Sequence, residues 1–174
     1  MKIKKILSEQ WVIVYILIAV AILYFIYSLG FMTNFYRLFY DGDSAMFEVY
    51  KELQLLNAFI FENALITLIL SIVGFAFELN KKKCSVLNVI YVAGFLIYEI
   101  SNLSTILGAI PYYINKYSKL NFTLIRNYNS STVMFTLCYV FSIGILLILA
   151  IIAVSLIIRI MKQKRERYRE KSYE

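Results

Sequence analysis

A chain of 174 residues that is 61% hydrophobic and 17% charged carries more apolar surface than a soluble domain of that size can hide. Its net charge of +7 sits in short basic segments beside apolar runs, a membrane-topology pattern rather than a nucleic-acid footprint. The absence of histidine excludes Cys–His zinc sites and His-based nucleophile pairs, and Cys84 and Cys138 lie at opposite ends of different predicted spans, so no disulfide is expected.

Four apolar runs are each long enough to cross about 30 Å of hydrocarbon, which takes about 20 helical residues. Hydrogen bonding of the backbone in lipid requires each to be a helix. The first covers residues 11–31 and follows Lys2, Lys4 and Lys5. It is too long for a cleavable signal core and lacks an Ala-x-Ala site, so it reads as a retained span.

A first outer loop follows. Its aromatic cluster Phe35, Tyr36, Phe39 and Tyr40 suits the membrane interface. Asp41-Gly42 marks a turn, and Asp43 or Ser44 can cap a short amphipathic helix starting near Ala45. Met46, Phe47, Val49, Tyr50 and Leu53 alternate there with Glu48, Lys51 and Glu52, which predicts a surface-lying element before the second span. Asp41, Asp43, Glu48 and Glu52 lack the Ca²⁺-loop spacing, and turn and cap chemistry accounts for them.

The second span is expected over residues 55–77 and the third over 86–110, joined by Asn80 and Lys81–Lys83. Pro111-Tyr112-Tyr113 is read as the start of a second outer loop. Two Asn-x-Ser/Thr sequons there, at Asn121 and Asn129, are read as accidents of an Asn-rich chain. The fourth span is expected over residues 132–158, with the tail from Arg159 continuing the helix before fraying.

Lys and Arg set the orientation. One side collects Lys2, Lys4, Lys5, Lys81, Lys82, Lys83, Arg159, Lys162, Lys164, Arg165, Arg167, Arg169 and Lys171. The other has only Arg37, Lys51, Lys116, Lys119 and Arg126. The first side is expected to be cytoplasmic. The fold expected is therefore an all-α membrane four-helix bundle, one transmembrane domain over residues 1–174. Both ends lie in the cytoplasm and the tail 159–174 is basic. A wealth of Ile, Phe, Tyr, Asn and Lys fits an AT-rich bacterial genome, and the cell membrane is the expected location.

Glu62 and Glu99 are the acidic residues placed well inside the spans, with Asn63 and Asn102 at similar depth. Such groups are costly in hydrocarbon and are expected to face the bundle interior or water. Asn63, Thr67, Ser71, Gly74 and Glu78 form a polar and small stripe on the second span, with Glu62 beside it. Asn88, Glu99 and Asn102 share a face of the third span, adjoined by Tyr91, Tyr98 and Thr105. Thr132, Thr136 and Tyr139 on the fourth, and Tyr24 and Ser28 on the first, add hydroxyls. A bundle closed on these faces would hold a polar pocket in its outer half. Glu62, Asn63, Glu99 and Asn102 are the candidate ligand or ion residues, set against a purely structural use as interhelical hydrogen bonds. Lys162, Lys164, Arg165, Arg167 and Arg169 are candidates for lipid head-group contact, or simply anchor the last helix.

No metal, cofactor or catalytic constellation is expected, and no nucleic acid. The leading functional expectation is an accessory or interaction subunit of a larger membrane assembly, with a membrane-protein partner or a homo-oligomer. The alternative is a small oligomeric carrier coupled to ions or protons through the two carboxylates.

Overall fold

A computed structural model describes residues 10–31, 44–79, 86–120 and 132–171. The described residues form four helices: α1 (Gln10–Phe31), α2 (Ser44–Leu79), α3 (Val86–Ser118) and α4 (Val133–Lys171). Each is long and apolar enough to cross a membrane. The expected turn at Asp41-Gly42, the aromatic cluster 35–40, the lysine turn 81–83, Cys84 and both sequons lie outside the described residues, as do the first nine residues.

Neighbouring helices run antiparallel around a four-sided ring. Tyr15 meets Phe75 and Phe25 meets Phe61 between α1 and α2. Tyr91 reaches Leu70, and Tyr113 reaches Glu52, between α2 and α3. Tyr117 meets Phe135 between α3 and α4. Tyr27 reaches the Met134 carbonyl and closes the ring from α1 to α4. Inside lie Leu17, Tyr24, Ile60, Ile106, Ile110, Ile145, Leu149 and Leu156, all buried. The outside is as apolar as the inside: Leu23, Ile26, Ile69, Ile97, Val140, Leu147 and Val154 are exposed. Such a belt is unstable against water and natural against lipid, as in a multi-pass membrane protein.

The helices outrun the spans that hydropathy assigns them. At 1.5 Å per residue, the 36, 33 and 39 residues of α2, α3 and α4 reach about 54, 50 and 58 Å. Two boundaries differ from expectation in consequence. The amphipathic stretch near Ala45 is not a separate loop helix but the first turns of α2, whose helix runs unbroken from Ser44. Pro111 does not begin a loop but sits inside α3, which continues to Ser118.

One reason covers both. The start of α2 and the end of α3 pack on each other beyond the apolar runs, which favours helix in both. Lys116 Nζ lies 2.5 Å from Glu52 Oε1. The Tyr113 hydroxyl donates to the Glu52 carbonyl at 3.2 Å and that of Tyr112 to the Glu52 carboxylate at 3.4 Å. These tertiary contacts override the helix-breaking tendency of proline, which removes one backbone donor. The ion pair itself is partly exposed and screened by water, so it contributes little to global stability. Glu52→Ala is expected to leave the unfolding midpoint almost unchanged while speeding amide hydrogen exchange over residues 112–118. A fall in midpoint as large as that of a core truncation would contradict this assignment.

Candidate functional site

The polar stripe of α2 points inward. Asn63, Thr67 and Ser71 follow one another at i, i+4 and i+8 and are all buried. Thr67 and Ser71 donate their hydroxyls to the carbonyls four residues back, Asn63 and Thr67, each at 2.7 Å. This is how such residues satisfy themselves in a helix without water. The Thr67 hydroxyl also contacts Glu99 Oε1 on α3.

Glu99 is 3% exposed, and Asn63 lies against its carboxyl. Asn63 Nδ2 donates to the Tyr24 hydroxyl of α1 at 3.4 Å. Tyr24 is fully enclosed, stacked against Tyr27 and Phe141 with ring centroids 6.3 and 5.8 Å away, and those two rings also touch each other. Beside the Tyr24 hydroxyl lies Ser142 of α4. The Ser142 hydroxyl is buried between Tyr24 and Cys138, and Asn63 Oδ1 is buried with no hydrogen bond among the described residues.

The four residues expected to form one site separate. Asn63 and Glu99 meet inside the bundle. Glu62, one residue from Asn63 and so turned by about 100°, is exposed on the outer surface of α2. Asn102 is half-buried, and its side-chain amide donates to the Tyr98 carbonyl at 3.0 Å within its own helix. The structure thus does not gather the two carboxylates into one interior pocket. Tyr98 lies within electrostatic reach of both, Glu99 on the inner side and Glu62 on the outer.

The fourth helix also differs. Thr136 faces outward and Tyr139 is only half-buried, whereas Cys138, Ser142 and Ser155 are buried and were not singled out from sequence. Asn57 was missed as well: it is 3% exposed, with neither side-chain polar atom hydrogen-bonded among the described residues. The spacing 57, 60, 64, 67 on the buried face of α2 was the signal that could have found it.

A cavity of about 40 Å³ lies one turn further along, lined by Ser71, Gly74, Asn88, Tyr91, Leu149 and Leu156 among others. A β-carbon at Gly74 would stand 3.1 Å from the Tyr91 ring, so glycine there lets α2 and α3 approach. On the outer face of α3, by contrast, Gly94, Ser101, Thr105 and Gly108 are exposed, and a β-carbon at either glycine would meet nothing within 4 Å.

Along the tail, Lys162, Lys164, Arg165 and Arg169 are exposed on the continuation of α4, and the side chain of Arg167 lies outside the described residues. Lys162 lies 3.9 Å from Glu166, an i,i+4 pair on a solvated helix.

Fold and site together define a multi-pass helical membrane protein with a buried polar layer built around one carboxyl group. No protein-family model, curated protein or solved structure matches the chain.

Proposed function

We propose that the chain is a small interaction subunit of a membrane assembly, held in the cell membrane with both ends in the cytoplasm. A second membrane protein docks on the outer face of α2 and α3. The observation that carries this reading is the exposed position of Glu62, two turns into the apolar run of α2. A carboxylate facing hydrocarbon costs about 2.5–3.5 kcal/mol near the centre of a span on insertion scales. A docked helix that offers a donor there offsets that cost. The small and hydroxyl-bearing residues Gly94, Ser101, Thr105 and Gly108 on the adjoining face of α3 suit close helix approach.

The apolar runs contain no Lys or Arg. A second copy of this chain therefore brings no intramembrane cation to Glu62, whereas a different chain with a basic side chain at that depth does. The exposed basic helix after Arg159 suits anionic lipid head groups, at about 1 kcal/mol per basic residue near the surface. The excess of Lys and Arg at that end supports its placement in the cytoplasm.

Mild affinity purification of a tagged chain from its native membrane, followed by mass spectrometry, tests the reading. The expected result is a stoichiometric partner whose recovery falls at least tenfold with Glu62→Leu, at unchanged expression. A homo-oligomer alone, or full recovery of the partner by the variant, would sink the reading. The carrier alternative draws on a different observation, the buried Glu99. It predicts ion- or proton-coupled flux in proteoliposomes that Glu99→Gln abolishes and Glu62→Leu spares.

A further inference from the structure

The buried polar layer takes an oxygen from every helix of the bundle. Tyr24 comes from α1, Asn63 and Thr67 from α2, Glu99 from α3 and Ser142 from α4, and none is more than 4% exposed. No positive side chain stands among them, since the apolar runs contain none.

Counting hydrogens shows what this arrangement lacks. The Thr67 hydroxyl has one hydrogen and two acceptors in reach, the Asn63 carbonyl and Glu99 Oε1. Serving the carbonyl leaves the contact with Glu99 short of a proton, which the carboxyl itself can carry. Asn63 Oδ1 is a lone-pair donor with no partner among the described residues, in a place where unpaired polar atoms are costly, and the Ser142 hydroxyl beside Tyr24 and Cys138 adds a further oxygen. Half a turn of the Asn63 amide exchanges its oxygen and nitrogen and brings Oδ1 toward Glu99 and Tyr24.

Uncharged oxygens around one carboxylate suit a hard cation. One negative charge matches one positive charge, whereas a divalent ion would leave a net charge buried in a low-dielectric interior. We propose that Tyr24, Asn63, Thr67, Glu99 and Ser142 form an occluded site for one small monovalent cation, taken up in exchange for the carboxyl proton of Glu99. The exchange balances: Glu99–COOH and Na⁺ give the Glu99 carboxylate–Na⁺ pair and a released proton.

The cavity beside the layer is the route the proposal assigns to the ion: Ser71 and Phe95, one turn from Thr67 and Glu99, line it together with Asn88 and Tyr91. Toward the other end, Ile60, Ile106 and Ile110 are fully buried and fill the interior. Among the described residues the titratable groups that face Glu99 are Tyr24 of α1 and Tyr98 of α3; Cys138 of α4 lies beyond Tyr24, and Glu62 lies beyond Tyr98 on the outward side of α2. Phenols and thiols ionise well above the carboxylate range, and Glu62 is exposed, so the exchangeable interior proton belongs to Glu99.

A cation that joins four helices stabilises the folded bundle by mass action. The full chain in nanodiscs is therefore heated in NaCl and in choline chloride at equal ionic strength. The wild type is expected to unfold at a higher midpoint in NaCl, with a larger shift at higher pH, where fewer protons compete. Asn63→Ala should raise the Na⁺ concentration for half the shift at least tenfold, and Glu99→Gln should abolish the shift. Equal midpoints in the two salts, or a shift that survives in Glu99→Gln, would overturn the proposal. Infrared difference spectra of the wild type on exchange of choline for Na⁺ guard against a variant that fails to fold. Loss of a protonated carboxyl stretch with gain of a carboxylate band supports the site, and an unchanged carboxyl region overturns it.

Discussion

Tyr24→Ala is expected to destabilise the bundle by about 3 kcal/mol, the low end of the range for large aromatic truncations in protein interiors. The side chain is fully enclosed, stacked against Tyr27 and Phe141, and its hydroxyl accepts from Asn63. In water-soluble proteins part of such a cost comes from returning apolar surface to water. That part shrinks here because helices separated within a bilayer face lipid, not water. Two costs persist in lipid: the dispersion attraction forfeited around an unfilled cavity, and an amide without its acceptor. Tyr24→Phe separates the two contributions, because it keeps the ring and removes only the hydroxyl; its expected cost is about 1 kcal/mol. Reversible unfolding in mixed detergent micelles measures both. A Tyr24→Ala effect below about 1 kcal/mol, or one equal to that of Tyr24→Phe, would show that the ring stack does not hold α1 to α4.

The buried position of Tyr24 shows how far the sequence reaches. Hydropathy alone places four helices, because a run of about 20 apolar residues has no other stable form in lipid. Periodicity then finds the inward stripe Asn63–Thr67–Ser71, since a polar face on an apolar helix stands out at 3.6 residues per turn. It does not tell which of two adjacent polar residues turns inward. Glu62 and Asn63 differ by about 100° in direction, and only the packing of α1 and α3 on α2 decides that Asn63 is enclosed and Glu62 exposed.

The fourth helix shows the same limit from the other side. Hydropathy places Thr132 and Thr136 in the outer half of the span, but Phe135 beside them meets Tyr117 while Phe141 meets Tyr24, so they stand beyond the polar layer, and the inward position at its level is Ser142. Pro111 failed as a boundary marker for a reason outside its own neighbourhood. Its helix is held by Tyr112, Tyr113 and Lys116 against a segment of α2 more than fifty residues earlier in the chain.

Asn57→Leu is expected to stabilise the protein, a direction opposite to that of most core substitutions. Asn57 is 3% exposed, and both its side-chain nitrogen and its oxygen lack partners among the described residues. Each unpaired buried polar group costs about 1–3 kcal/mol relative to one that is paired. Leucine branches at the same carbon, so it can follow the asparagine side chain while presenting methyl groups to Leu53, Leu56 and Ile60, its buried neighbours along α2. Its larger volume offsets part of the gain through crowding, which leaves an expected net stabilisation of about 1 kcal/mol. The same substitution at Asn63 is expected to destabilise, because that amide is engaged with Tyr24 and Glu99. Comparing the two variants under one unfolding protocol removes the general effect of exchanging an amide for an alkyl group. If Asn57→Leu destabilises as much as Asn63→Leu, then Asn57 holds a partner through an ordered water, and the polar layer extends one and a half turns further along α2 than the contacts around Glu99 define.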